Sequence, residues 1–255
     1  MNQQRFTSPT LRAALSAVAL ASAALLSTGA HAQVVNGNFA NGLTGWSTAG
    51  DASAQPANAS DPTHLWLTTA SVDFQDDFDA GLAAGARNAS GTPATYTDAP
   101  GGLEDFAGVA LGAFDDPVNG AAYEGSGAQQ SFTAAAGSTL SFRWDFGTLD
   151  PRADAAFVVI DGQVITLATP ASATLPGTDG NATHTGWSDF STTFANAGVH
   201  TVTFGVVDIG DFDDTSTLAV GDVSVGVSAV PESSTLALML AGFAVLGLTS
   251  RRRKV

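Results

Sequence analysis

The segment Leu140-Ser141-Phe142-Arg143-Trp144-Asp145-Phe146 alternates large apolar side chains with polar ones at every second position. A period of two places alternate side chains on opposite faces of a β-strand, so this segment predicts a strand with one buried face. Trp144 falls on the apolar side of this pattern, where packing in the core is the expected role. Strands of this kind are typical of antiparallel sheets that cover a core on one side.

Similar segments on both sides of this strand predict an all-β chain. Asp161-Gly162 stands between the apolar runs 157–160 and 163–167, which is a strong signal for a two-residue β-hairpin. We predict further strands at 34–39, 64–67, 187–194, 200–206 and 218–227. Residues 81–127, rich in Gly, Ala, Asp, Asn and Pro, predict long loops with short strands. Repeated short strands separated by turn residues favour an antiparallel β-sandwich or jelly roll.

The N-terminal residues predict export. Arg5 and Arg12 precede an apolar run that extends to Leu26, and Ala30-His31-Ala32 has the small-x-small pattern of a signal peptidase site. We therefore assign residues 1–32 to a signal peptide that signal peptidase removes after Ala32, and exclude them from the fold.

The C-terminal residues predict a membrane anchor. Residues 235–250 are uncharged and mostly apolar, and Arg251-Arg252-Arg253-Lys254 follows directly. This stretch is slightly shorter than the roughly 17–25 residues of a usual spanning helix, and flanking adjustment makes a transmembrane helix feasible. The basic cluster is expected to stay in the cytoplasm, which leaves a single ectodomain at 33–229 outside.

The order Pro231-Glu232, apolar helix and basic terminus resembles the PEP-CTERM sorting signal of Gram-negative bacteria, although Ser233 stands where that motif repeats proline. The resemblance covers residues 230–255 and implies processing by an exosortase near the Pro-Glu pair. The arginines 251–253 would then form its cytoplasmic end. The protein would be held briefly at the inner membrane and then reach the cell surface or extracellular matrix. An ordinary tail anchor is the alternative.

The opening of the ectodomain, N-G-N-F-A-N-G-L-T-G-W at 36–46, resembles the start of galactose-binding-like β-sandwich domains. That resemblance implies core positions for Phe39 and Trp46. In that family an acidic residue that helps to hold a structural calcium often follows the Phe, whereas this chain has Ala40.

The charge balance excludes one class of partner and suggests another. Between residues 33 and 229 there are 23 acidic residues against three basic ones, all arginine. Nucleic-acid binding needs a basic surface and is excluded. Bound cations would relieve the self-repulsion of such a chain, and we predict a Ca²⁺ site at Asp208, Asp211 and Asp213, which join two predicted core strands. The resemblance to galactose-binding-like domains implies a contribution from Asp222, which matches the acidic position often seen there before the last strand. A solvated acidic loop is the alternative reading.

Few residues point to catalysis. The chain has no cysteine, which excludes thiolate zinc sites and thiol catalysis, and it lacks a G-x-S-x-G elbow. Glu104 and Glu124 are the only glutamates of the ectodomain and could form an acid–base pair. Trp187, beside a Gly-containing loop, is the tryptophan best placed to stack on a sugar.

Three functions remain open at this point. A structural or adhesive role within exopolysaccharide is the first prediction, a carbohydrate-binding module that uses Trp187 is the second, and a secreted hydrolase is the third.

Overall fold

The computed structural model describes residues 33–56, 63–152, 154–177 and 180–226. The predicted signal peptide, with Ala30 and Ala32, lies outside these residues. So does the predicted sorting signal, with Pro231, Glu232 and the arginines 251–253. No helix within the described ranges is long and apolar enough to cross a membrane.

The described chain contains thirteen strands and one short α-helix. In chain order they are β1 (Ser47–Ala49), β2 (Asp51–Pro56), β3 (Thr63–Thr68), β4 (Thr95–Tyr96), α1 (Leu103–Ala107), β5 (Ala122–Ala134), β6 (Thr139–Thr148), β7 (Ala155–Ile160), β8 (Gln163–Ala168), β9 (Leu175–Pro176), β10 (Thr183–His184), β11 (Ser188–Thr193), β12 (Gly198–Ile209) and β13 (Ser216–Gly226).

The strands form two antiparallel sheets. The first sheet has the order β1-β5-β12-β7-β8, with β4 also paired to β5, and the second has the order β2-β3-β13-β6-β10-β9, with β11 also paired to β6. The inner faces of the two sheets enclose one apolar core, in which Phe142 of the second sheet meets Phe204 of the first at a ring distance of 4.7 Å. The predicted antiparallel β-sandwich is therefore confirmed.

The alternation that predicted β6 is reproduced by burial. Leu140, Phe142 and Phe146 are buried in the core, and Trp144 on the same face is partly buried against it. β6 is a central strand of the second sheet, since it pairs with β13 on one side and with β10 and β11 on the other. Its outward residues therefore occupy the middle of that sheet's outer face.

The predicted hairpin is confirmed at Asp161-Gly162. β7 and β8 pair with Ile160 opposite Gln163, which leaves these two residues as the whole turn. Asp161 has φ 51° and Gly162 has φ 80°. Two consecutive positive φ angles are the requirement of a type I′ turn, which explains the Asp-Gly pair.

The first segment departs from the prediction. Residues 34–39 form turns and not a strand, because Asn36 (φ 52°) organises a compact loop. The Asn36 side chain donates to the carbonyl oxygens of Gly42 and Thr44, and its Oδ1 accepts from the amide of Asn41. An asparagine that bonds neighbouring backbone competes with strand pairing. Phe39 and Trp46 nevertheless pack in the core, 5.2 Å apart.

Residues 81–127 contain more regular structure than predicted. α1 packs against the outer side of the first sheet, where Leu103 and Ala107 join Phe157 and Val159 in a second apolar cluster. β5, which begins at Ala122, is the longest strand in the described residues. Gly127 of β5 allows the close contact with α1, since a Cβ there would lie 3.0 Å from Leu103 Cδ1.

Candidate functional site

The outer face of the second sheet carries a charged and aromatic group of side chains centred on Arg143. In the antiparallel register Arg143 of β6 lies between Gly221 of β13 and Asp189 of β11. The Arg143 side chain crosses over Gly221, where a Cβ would lie 3.5 Å from Nε. The missing side chain at position 221 therefore gives the guanidinium group room to lie along the sheet.

Trp187 and Arg143 form a stacked pair on this face. The guanidinium carbon of Arg143 lies 4.2 Å from the centre of the Trp187 ring, a cation–π contact. His64 of β3 packs edge-on against Trp187 at 5.5 Å and contacts Trp66 at 5.8 Å. Trp187 nevertheless remains 40% exposed. Neighbours thus hold the indole in one orientation while part of its surface stays open to a ligand.

A β-bulge in β13 brings Asp222 to the same place. The register between β13 and β6 shifts between Gly221 and Ser224, and Asp222 has φ 55°. A bulge redirects a side chain that regular pairing would point elsewhere. Here Asp222 Oδ2 lies 3.2 Å from Arg143 Nε, so the two side chains form an ion pair on this face. A non-glycine residue with positive φ costs about 1 kcal/mol or more, which indicates a constrained position.

A cavity of about 390 Å³ adjoins Arg143. Its lining residues are Ser141, Phe142, Arg143, Asp189, Phe190, Ser191, Asp222 and Ser224. We call this cavity, together with Trp187, the sheet-face site. Three hydroxyls, two carboxylates and one guanidinium group provide both hydrogen-bond donors and acceptors. The volume falls in the range of small-ligand sites, about 300–1,000 Å³.

Of the four residues predicted to bind calcium, Asp211 and Asp213 are in contact with each other. Asp208 is buried in β12, whereas Asp211 forms a salt bridge with Arg152 and also accepts from the amide of Asp213. Ser216, at the start of β13, contacts Asp154, which lies near the end of β12. Asp222 is six residues further along β13, so it lies about 20 Å from Ser216. In the part of the chain that the structure describes, no three acidic or histidine side chains form a group that could hold a metal ion. Calcium binding stays a prediction.

A pair of buried carboxyl groups lies behind the end of β12. Asp154 and Asp208 are each about 1% exposed. Asp154 accepts from the amide of Ile209 and from the Ser216 hydroxyl, whereas Asp208 Oδ1 is buried without a hydrogen-bond partner. Burial, followed by the charge of Asp154, raises the pKa of Asp208 well above its usual value, and burial likewise raises the pKa of Asp154. The sequence singled out Asp208 only as a calcium ligand, and it gave no sign that Asp154 and Asp208 are buried together.

The two glutamates considered as an acid–base pair have different roles. Glu104 of α1 is buried, and its two carboxylate oxygens accept from the amides of Gly112 and Phe114. Glu104 therefore fastens the loop after α1. Glu124 of β5 lines a separate groove, which is described below.

The sequence indicated only one member of the sheet-face site as a contact to an organic ligand. Trp187 was predicted as a ligand contact and Asp222 as a metal ligand, whereas Arg143 and Asp189 were not singled out. One signal was present for Arg143, since it is a basic residue on the polar face of the best-predicted strand.

Comparisons with known proteins gave matches among solved structures. No protein-family model matches the sequence, and no curated protein matches it either. Solved structures that resemble the chain include TmCBM61 in complex with beta-1,4-galactotriose, at 10% identity and TM-score 0.41, with 78% of this chain and 100% of that chain covered.

Two further solved structures also resemble the chain. The K3 cleaved adhesin domain of Lys-gingipain from Porphyromonas gingivalis w83 shows 13% identity and TM-score 0.43, covering 77% of this chain and 99% of that one. The enzymatically active domain of Bacteriophage CBA120 tailspike protein 4 shows 11% identity and TM-score 0.35, covering 76% and 21%. No ligand or activity follows from likenesses of this size.

Proposed function

We propose that this protein is a carbohydrate-binding β-sandwich and that the sheet-face site holds the sugar. The observation that carries this proposal is the stacked Trp187–Arg143 pair beside a cavity lined by hydroxyl and carboxylate groups. This function replaces the structural or adhesive role as the leading one. Binding to a polysaccharide would also serve adhesion.

The chemistry of the site fits a sugar ring. A pyranose has apolar C–H faces that pack on an aromatic ring, and its edge carries hydroxyls that both donate and accept hydrogen bonds. Trp187 offers the ring, Arg143 donates, and Asp189 and Asp222 accept. Ser141 Oγ and Ser224 Oγ, 3.1 Å apart, stand at the cavity wall as groups that can exchange their mutual hydrogen bond for one to a ligand.

Glycan-array screening of the purified protein, followed by calorimetry on the best ligand, tests the proposal. Trp187→Ala should weaken binding at least about tenfold, or about 1.4 kcal/mol, because a central aromatic contact is lost. Trp187→Phe should retain part of the affinity. Asp189→Asn should weaken binding without affecting the stack, since Asp189 lines the cavity only.

Phe78→Ala is the matched control. Phe78 is an exposed aromatic residue outside the sheet-face site, so its removal should leave sugar binding unchanged. Equal affinity of the wild type and the Trp187→Ala and Asp189→Asn variants would remove the sheet-face site as the binding site.

We further propose, from the sequence of the two ends, that the protein is exported and sorted by an exosortase. Residues 1–32 and 230–255 support this proposal through their charge and apolar pattern. Mass spectrometry of the mature C-terminus, in cells with and without exosortase, tests it. An unprocessed C-terminus in both strains would contradict the sorting signal.

A further inference from the structure

A second groove, which we call the aromatic groove, opens at the end of β5 and β12. Its lining residues are Ser71, Phe74, Pro93, Ala94, Tyr96, Glu124 and Phe212, and its volume is about 390 Å³. These residues come from the loop after β3, from β4 with its preceding residues, from β5 and from the loop after β12. None of them belongs to the sheet-face site.

Aromatic rings form the walls of this groove. Tyr96 and Phe212 stand nearly perpendicular, at 87° and 6.2 Å, and Tyr123 supports Phe212 from behind at 4.7 Å. Phe74 and Tyr96 are each 59% exposed. Large apolar rings gathered at one exposed place mark a binding site more often than a random surface does. Together with Phe74, these rings give the groove an aromatic lining.

The one charged residue that lines the groove is acidic. Glu124 projects from β5, directly opposite Asp208 of β12 in the strand register. Paired residues of an antiparallel ladder point to the same side, so Asp208 lies next to Glu124. Burial, and then the charge of Asp76, raise the pKa of Glu124 to about 7. Tyr96 of β4 is the third titratable neighbour, paired with Glu124 in the register.

We propose that the aromatic groove binds an organic ammonium group, such as a trimethylammonium or alkylammonium head. Aromatic faces attract cations through the ring quadrupole, and the contact strengthens when the site is partly shielded from water. Glu124 supplies the counter-charge, and the surrounding excess of acidic residues attracts cations toward the groove. A neutral ligand of the same shape would lack this attraction to the Glu124 carboxylate.

The proposal requires a proton to leave the site when the cation binds. In the free protein near neutral pH, Glu124 is partly protonated because burial and Asp76 disfavour its charged form. An ammonium group favours the carboxylate, so the Glu124 proton passes to solvent on binding. Affinity should therefore rise with pH through about 7 and level off above it.

Choline and its neutral carbon analogue 3,3-dimethyl-1-butanol are matched probes for the full chain. Both have the same shape, and only choline is charged. NMR titration should show choline binding at the tyrosine and phenylalanine rings, at least about fivefold tighter than the neutral analogue. Choline affinity should be higher at about pH 8.5 than at about pH 6, and calorimetry in two buffers of different ionisation enthalpy should report the released proton.

Variants separate this groove from the sheet-face site. Glu124→Gln should weaken choline binding about fivefold or more and abolish its pH dependence, because the counter-charge is removed. Phe74→Ala, a change at an exposed ring, should weaken choline binding without affecting the fold. Trp187→Ala should leave choline binding unchanged, since Trp187 does not line the groove.

Three results would each overturn the proposal. Equal affinity for choline and the neutral analogue would show an apolar groove without preference for charge. No ring shifts at millimolar choline would exclude the ammonium ligand. If micromolar CaCl₂ displaced choline from both the wild type and the Phe74→Ala variant, the acidic groups would bind an inorganic ion.

Discussion

The buried pair Asp154 and Asp208 predicts that this protein is more stable in mild acid than in mild base. Burial raises the pKa of both carboxyl groups in the folded state, and that of Asp154 rises from 3.8 to about 7. A group with a raised folded pKa stabilises the fold fully below its unfolded pKa, and this stabilisation is lost as the pH rises through the folded pKa. The loss should therefore occur between about pH 4 and pH 7 or slightly above.

The size of the effect follows from that shift. At about 1.4 kcal/mol for each pKa unit, the change for Asp154 amounts to about 4 kcal/mol. Solvent does not screen this change in stability, since Asp154 is about 1% exposed. Glu124 adds a contribution of the same sign, reduced because that side chain is only partly buried. A domain stability of about 5–15 kcal/mol makes such a change easy to measure.

Asp208→Asn tests how much the Asp154–Asp208 pair contributes to the pH dependence of stability. An amide can accept from Thr69 and donate to Asp154, and so reproduces the bonding of the neutral acid. The variant should be within about 1 kcal/mol of the wild type near pH 5 and more stable by about 2 kcal/mol near pH 8, because the like charge beside Asp154 is gone. Urea denaturation followed by tryptophan fluorescence at several pH values measures both differences.

A substitution at a surface aspartate distinguishes the effect of a buried carboxylate on stability from the effect of the protein's net charge. Asp73 is exposed, so Asp73→Asn removes the same formal charge from solvent and should leave the pH dependence of the wild type unchanged. A wild-type free energy of unfolding that increases from pH 5 to pH 8 would refute the reasoning. So would an unaltered pH dependence in Asp208→Asn.

Three further substitutions test the hairpin turn and the sheet-face site. Gly162→Val should lower the free energy of unfolding by about 1–3 kcal/mol, because a β-branched residue is strained at φ 80°; thermal unfolding measures this, and an unchanged melting temperature would contradict the type I′ turn. Asp222→Ala should weaken sugar binding severalfold by removing the ion pair with Arg143, while Asp189→Ala in the same cavity should weaken it without shifting the NMR signal of the Trp187 indole that reports the stack.

The local sequence pattern was sufficient to predict structure where that structure depends on residues adjacent in the chain. The period-two segment at 140–146 predicted β6, and Asp161-Gly162 predicted the β7–β8 turn, since both signals arise from backbone geometry over a few residues. The prediction was wrong at 34–39, where the side chain of Asn36 holds a turn that apolar content alone did not reveal.

The strand β5 shows the opposite case. Its first six residues, A-Y-E-G-S-G at 122–127, contain two glycines and fell within the segment 81–127 that was predicted to form long loops with short strands. It is nevertheless held between β1 and β12 in the first sheet, and at Gly127 the absence of a side chain accommodates α1. Tertiary packing overrides a weak strand preference at such positions.

The sequence alone determined the all-β class and the acidic character of this chain, because alternation and charge are properties of composition and order. Only the tertiary structure decided which charges matter. It buried Asp208 beside Asp154, placed Arg143 over Trp187, and set Glu124 among aromatic rings. These groupings join residues distant in the chain, and strand register, which depends on the whole sheet, brings them together.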